Sequence, residues 1–88
     1  MKVLESTQTT GREFNLPGGV QRVIVDSHPG GNPAATVVLQ ERGPNQWVNI
    51  ADMAFTANGV KSFHSAVGGR YRIQASAAGS EVEVSGAY

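Results

Sequence analysis

Apolar and polar residues alternate with a period of two along several short segments of the chain. The alternation is clearest in residues 13–16, 70–75 and 81–85, where every second side chain is apolar. This period predicts β-strands that face a core on one side and water on the other. Residues 20–26 and 34–41 carry longer apolar runs, which indicate central strands or strands covered on both faces by a neighbouring subunit.

Turn-forming residues separate these segments at spacings of about 8 to 14 residues, which is typical of sandwiches and barrels. Segments 46–50 and 60–66 complete the predicted strands, and residues 51–58 show no helical pattern. Asn58-Gly59 is the strongest hairpin signal. We therefore expect an all-β fold: one domain, residues 1–88, forming a small antiparallel β-sandwich of about eight strands, jelly-roll-like. Its longest loop is predicted over residues 28–33.

The 88 residues contain no cysteine, so neither a disulfide nor a thiolate metal site supports the fold. For this length, apolar burial contributes about 125 kcal/mol, against an ordering cost of about 130 kcal/mol. The balance predicts a marginal monomer that gains stability from a partner surface or from self-association.

Charge and hydropathy restrict the classes of partner. Seven basic and seven acidic residues give no net charge, which argues against nucleic-acid binding. No apolar run is long enough for a membrane span, and Met1–Glu5 lacks the apolar core of a signal peptide. We therefore expect no nucleic-acid partner and no membrane association.

The side chains that support catalysis are scattered. His28 lies near Asp26, and His64 lies in a predicted strand, but no third metal ligand accompanies either histidine. The serines lack a nucleophile elbow, and the glycine pairs lack the spacing of a phosphate loop. We expect no metal, no cofactor, no small-molecule substrate and no enzymatic activity.

Two surface arrangements leave alternatives open. Arg70 and Arg72 share one strand face, as do Glu81 and Glu83, so a hairpin of these strands would pair their charges. A glycosidase carboxylate pair is the less favoured alternative, since it requires a cleft. Trp47 is favoured as a core or edge residue over an exposed platform for carbohydrate or a second subunit.

Three motifs follow one another in the middle of the chain. Gly43-Pro44-Asn45-Gln46-Trp47-Val48-Asn49-Ile50 is followed by Phe55-Thr56-Ala57-Asn58-Gly59-Val60-Lys61 and then by Gly69-Arg70-Tyr71-Arg72-Ile73. This order resembles small β-sandwich virion proteins of tailed bacteriophages, which are head decoration (cement) or head-fibre proteins and are often trimeric. The resemblance covers residues 43–73, and it suggests one aromatic cluster of Trp47, Phe55 and Tyr71.

The resemblance implies a homotrimer on the outer capsid surface, assembled in the bacterial host cytoplasm, with the major capsid protein as partner. Decoration proteins of this kind often bind the shell through a terminus or a loop. The candidate capsid-binding residues are accordingly Met1, Lys2, Val3, Leu4, Glu5, His28, Pro29, Gly30, Gly31, Asn32 and Pro33. The candidate oligomer-interface residues, from the two valine-rich strands, are Val23, Val25, Val37 and Leu39.

A binding module is the alternative function. In that hypothesis the chain is a carbohydrate-binding or adhesin domain of a phage tail or fibre, with Trp47 and Tyr71 as stacking platforms.

Overall fold

A computed structural model describes residues 1–27 and 36–88, which form eight β-strands and no helix. The strands are β1 (Lys2–Leu4), β2 (Phe14–Asn15), β3 (Gly19–Ser27), β4 (Val37–Arg42), β5 (Trp47–Phe55), β6 (Gly59–Ser65), β7 (Arg70–Ala75) and β8 (Ser80–Val84). The all-β prediction is confirmed. The alternation predicts no strand at residues 2–4, because a three-residue strand is too short to show a period.

The strands form two antiparallel sheets of four strands each. Sheet A has the order β1-β8-β3-β6, and sheet B has the order β2-β7-β4-β5. The first strand pairs with the eighth, the second with the seventh, the third with the sixth and the fourth with the fifth. The chain is therefore one long hairpin whose two arms fold over together, which is the arrangement of a jelly roll. The predicted sandwich is confirmed, with this topology.

The core lies between the two sheets and follows from the alternation of the sequence. Sheet A contributes Val23, Val25, Val82 and Val84, and sheet B contributes Val37, Leu39, Tyr71 and Ile73, all at most 2% exposed. Phe14 and Phe63 pack on the Tyr71 ring, with centroid distances of 6.0 and 6.1 Å. Among the described residues, no buried side-chain nitrogen or oxygen lacks a hydrogen-bond partner.

The burial of the valine-rich strands corrects the predicted oligomer interface. Val23, Val25, Val37 and Leu39 are between 0 and 2% exposed within the single chain. Their side chains face the opposite sheet, so they are not available to a second subunit, and their assignment to an interface is wrong. The apolar runs arise because Ile24 and Val38, the intervening residues, remain partly buried on the outer faces.

The predicted hairpin at Asn58-Gly59 is also wrong. Strand β5 continues beyond residue 50 to Phe55 and belongs to sheet B, whereas β6 belongs to sheet A. Gly59 does not have a positive φ, and the Asn58 side chain accepts a hydrogen bond from the Ser27 backbone N–H at 2.9 Å. The turn signal is real, but the turn carries the chain from one sheet to the other.

The charge pairing predicted between β7 and β8 does not form, because these strands lie in different sheets. Arg70 instead approaches Glu13 at 3.5 Å, and Glu81 pairs with Lys2 at 2.5 Å. The predicted aromatic cluster of Trp47, Phe55 and Tyr71 does not form either. Tyr71 is in the core, whereas Trp47 lies on the outer face of sheet B against arginine side chains.

A lysine connects the two sheets at one open side of the sandwich. Lys61 extends inward from β6, and its ammonium group donates to the carbonyls of Asp52 and Ala54 on β5 at 3.1 and 3.0 Å. The same group lies 5.3 Å from the centroid of the Phe55 ring. These contacts occupy two carbonyls at the outer edge of β5.

Candidate interaction surfaces

The N-terminal strand supplies only part of the predicted capsid-binding set. Met1, Lys2 and Glu5 are exposed, but Val3 and Leu4 are 2 and 1% exposed and belong to the core. The assignment of Val3 and Leu4 to a contact surface is therefore corrected. The strand is short and sits at the edge of sheet A, where its apolar residues enter the core. The other candidates, His28, Pro29, Gly30, Gly31, Asn32 and Pro33, lie outside the described residues.

The outer face of sheet A carries acidic residues beside the N-terminal strand. Asp26 lies directly opposite Glu81 in the β3–β8 register, and Glu83 lies opposite Ile24. We call Asp26, Glu81 and Glu83 the acidic face. They line a shallow concavity with Lys2 and Ile24 that is open to solvent.

Lys2 is the positive charge within this acidic face. Its ammonium group lies 2.5 Å from the Glu81 carboxylate and 3.5 Å from that of Glu5. The hydrogen bond to Glu81 and the charges of Glu5 and Glu81 raise the pKa of Lys2 above its ordinary value. The charged form of the side chain is consequently favoured, and it adds an ion pair between β1 and β8 to their backbone pairing.

The outer face of sheet B is formed by arginine, amide and indole groups. Arg42, Arg70 and Arg72, which we call the arginine face, lie on β4 and β7. The Arg72 guanidinium lies 4.5 Å from the Trp47 ring centroid, and that of Arg42 lies 6.0 Å away. Such stacking stabilises a cation against an aromatic face.

A hydrogen-bonded series of side chains orients Arg72 across three strands. Its Nε donates to Gln40 Oε1 at 2.8 Å, and Gln40 Nε2 donates to Asn49 Oδ1 at 2.8 Å. Each of the three comes from a different strand of sheet B. Alternation alone places Gln40 and Arg72 on outer faces, but only the strand order brings them together. No pattern along the chain could therefore have indicated this series.

Trp47 and Tyr71, the predicted pair of carbohydrate platforms, do not share a surface. Trp47 is half-buried on the outer face of sheet B, whereas Tyr71 is 1% exposed in the core. Burial and the nearby Glu41 carboxylate raise the pKa of Tyr71 above its ordinary value. Tyr71 is therefore corrected to a core residue, and Trp47 is the one aromatic member of that pair at the surface.

The remaining candidate groups do not converge. His64 is exposed on β6, Asp26 lies on the acidic face, and His28 lies outside the described residues. Within residues 1–27 and 36–88 there is no cluster of three or more histidine, aspartate or glutamate side chains able to hold a metal ion. The same residues contain no helix long and apolar enough to cross a membrane.

The fold and these surfaces define a small jelly-roll β-sandwich with two outer faces of different charge. No protein-family description, no curated protein and no solved structure matches this chain.

Proposed function

We propose that the chain is a structural protein that decorates the outer surface of a bacteriophage capsid and stabilises it by bridging capsid subunits. The observation that carries the proposal is the construction of the molecule as a two-sheet sandwich with charged side chains on both outer faces. Among the described residues, its buried polar side chains are satisfied internally, and the concavities at its surface are shallow and open. Such a sandwich adds contacts to an assembly and needs no reaction.

The jelly roll supports this proposal at the level of architecture. Domains of this architecture recur in viral capsids and in lectins, and one fold serves many functions. The resemblance of residues 43–73 to phage decoration proteins favours the first of these two groups. In this structure the Trp47 and Arg72 positions of the motifs stack on each other. The motifs therefore contribute to the packing of sheet B, which supports a search for the capsid contact on the other outer face.

We assign the capsid contact to the acidic face and the exposed N-terminal residues beside it. Met1, Lys2 and Glu5 adjoin Glu81 and Glu83 at one edge of sheet A. Together they form a charged surface that a basic surface on the capsid complements, and such complementarity sets specificity and the rate of association. Bridging subunits through this face opposes the pressure of packaged DNA by adding buried contacts.

Particle composition and a binding assay test the function. We expect mass spectrometry of purified particles of the encoding phage to detect the protein in many copies. Its absence from the particles overturns the proposal. In a sedimentation assay with shells lacking the protein, Glu83→Lys should weaken binding about tenfold, the effect of a loss of about 1.4 kcal/mol. Gln46→Lys adds a positive charge at the exposed β4–β5 turn and should bind normally.

A carbohydrate-binding module is the second candidate, favoured by one observation. Trp47, Arg72 and Asn49 present an indole, a guanidinium and an amide on one outer face. These groups suit the apolar faces and hydroxyls of sugars. In that case the fluorescence of Trp47 shifts or is quenched when polysaccharides of the host surface are added, and Arg72→Ala reduces the response. Unchanged emission counts against this candidate.

A further inference from the structure

Three of the four edge strands are protected against pairing with another chain. Strands β1 and β2 have only three and two residues. Strand β5 carries an irregularity in which residues 50–53 face Leu39 alone, and Asp52 within it has a φ of 64°. Its carbonyls at Asp52 and Ala54 accept hydrogen bonds from Lys61. Short strands, bulges and lysine side chains are the usual devices that prevent edge-to-edge association.

Strand β6 is longer and more regular than β1, β2 and β5, and it has only one of these protections, the side chain of Lys61. It contains seven residues, Gly59–Ser65, and pairs with β3 at all seven positions without a register shift. It has no proline, and the ammonium group of Lys61 is already bonded to the Asp52 and Ala54 carbonyls of β5. Among the described residues, no strand covers the other side of β6. A regular strand of this length with a free edge is a template for pairing.

The backbone groups at this free edge follow from the hydrogen bonds of β3. The Arg22 N–H donates to the Ser85 hydroxyl, and the Arg22 carbonyl accepts from the Ser85 N–H. The backbone N–H and C=O groups of Arg22 therefore point away from β6. Along an antiparallel strand the backbone N–H and C=O groups of successive residues point to opposite sides. Those of Gln21, Val23 and Val25 therefore bond to β6. Their partners on β6 are Phe63, Lys61 and Gly59. The N–H and C=O groups of Val60, Ser62 and His64 therefore point to the open edge.

These three residues form a self-complementary set. We propose that β6 pairs antiparallel with β6 of a second copy of this chain, about a two-fold axis at Ser62. In this register Ser62 faces its own equivalent, and Val60 faces His64 of the second copy. All six outward backbone groups on each copy then bond across the axis. A shift by one residue would place outward groups opposite inward ones, and a shift by two would leave some unpaired.

The side chains at the edge fit the same occupant. Val60 is 58% exposed, and Ser62 and His64 are also exposed. Pairing covers Val60 with an imidazole ring, and it places no like charges directly opposite each other. The two copies then share one eight-stranded sheet, and the interface is isologous, as in most homodimers. This proposal concerns self-association and does not depend on capsid binding.

Light scattering after size exclusion, over a hundredfold dilution, tests the inference. The dimer mass is 18.4 kDa, twice the 9.2 kDa of one chain, whereas the trimer implied by the phage resemblance is 27.6 kDa, three times 9.2 kDa. We expect the 18.4 kDa species at the higher concentrations. A monomer throughout, or a trimer, overturns the proposal.

Substitution at the axis separates this edge from any other interface. Ser62→Pro removes an N–H that faces the open edge and is not used by β3, so the monomer ladder keeps its hydrogen bonds. We expect a folded monomer by circular dichroism and at least a tenfold weaker dimer. Ser62→Ala retains the N–H and should remain dimeric. A dimer of unchanged affinity in Ser62→Pro overturns the proposal.

A second variant covers the case in which Ser62→Pro does not fold. Val60→Asp combined with His64→Asp changes two exposed side chains and leaves the backbone of β6 intact. In the proposed register it places carboxylates directly opposite each other, twice in the dimer. We expect this variant to be a folded monomer at concentrations at which the unchanged chain is a dimer. An unchanged dimer contradicts the register.

Discussion

At the scale of single residues, the outer and inner positions of one strand have separate tasks. On β7, Tyr71 and Ile73 fill the core, while Arg70 and Arg72 lie on the arginine face. Tyr71 contributes more than volume, since its ring packs against Phe14 and Phe63 and its hydroxyl donates to the Ala66 carbonyl at 3.4 Å. A buried phenol of this kind makes stability depend on pH.

We predict that Tyr71 makes the fold weaker in alkaline solution. Because burial and then Glu41 raise the pKa of Tyr71 in the folded state, folding favours the protonated phenol. The stabilisation is complete below the unfolded-state pKa near 10 and is lost as the pH rises through the folded-state pKa. Urea unfolding at pH 7 and at about pH 11 should show a smaller alkaline loss in Tyr71→Phe.

Two features provide the controls for this experiment. The hydrogen bond of Tyr71 is long, so Tyr71→Phe should cost less than about 1 kcal/mol at pH 7. Lys2 acts in the same direction, because its raised pKa also favours the protonated folded state below pH 10.5. Lys2→Met should therefore remove a separate part of the alkaline fall in unfolding free energy. An unchanged pH profile in Tyr71→Phe would contradict the role assigned to the phenol.

At the scale of elements, the period-two pattern predicts strand positions well but cannot predict their partners. Residues 70–75 form a strand as predicted, and the strand predicted at residues 81–85 is shifted by one residue at each end. The errors lie at the connections, where Asn58-Gly59 was expected to form a hairpin and the favoured charge pairing required a second hairpin between β7 and β8. A turn signal shows that the chain changes direction. It does not show whether the next strand joins the same sheet or the opposite one.

The candidate surfaces are less predictable than the fold for the same reason. The Arg72–Gln40–Asn49 series joins β7, β4 and β5, and it exists only because of the order of sheet B. The N-terminal residues were expected at a contact surface, but edge pairing with β8 draws Val3 and Leu4 into the core. Outward positions can be recognised from alternation, whereas neighbours across strands require the topology.

Gly59 and Gly79 lie at two of the connections that cross between the sheets, and only one of these connections requires its glycine. Gly79, between β7 and β8, has a φ of 126°, whereas Gly59 has no positive φ and no heavy atom within 4 Å of the position that a Cβ would occupy. We predict that Gly79→Ala costs about 1–2 kcal/mol of unfolding free energy. Gly59→Ala should remain within about 0.5 kcal/mol of the unchanged chain. Urea unfolding of both variants measures the difference, and a cost at Gly59 as large as that at Gly79 would contradict the ordinary backbone conformation and open surroundings of Gly59.

At the scale of the whole molecule, the first and last strands stabilise each other. Strand β1 pairs with β8, and the Met1 amino group donates to the Val84 carbonyl at 3.1 Å. Val3 and Leu4 add two buried side chains to the core. The N-terminal segment is therefore part of the fold, in contrast to a detachable arm that binds a partner.

Deletion of residues 1–4 tests this integration. Loss of two core side chains and one edge strand should cost about 4 kcal/mol or more, a large part of the stability of a small domain. We expect the truncated chain to lose its cooperative thermal transition, measured by circular dichroism. The double variant Lys2→Ala and Glu5→Ala changes only exposed side chains of the same segment and should keep the transition. A truncated chain with an unchanged midpoint would show that the segment is not part of the core.

The position of β8 between β1 and β3 has a consequence for synthesis on the ribosome. The strand that emerges after the other seven enters the middle of a sheet whose other members already exist. Until then, β1 and β3 have no intervening strand, and each has an open edge where β8 will pair. Such edges and the uncovered core residues behind them favour aggregation of incomplete chains. A nascent chain of this topology thus completes its fold only after β8 has left the ribosome, and premature termination before residue 80 leaves a product that proteases or chaperones must remove.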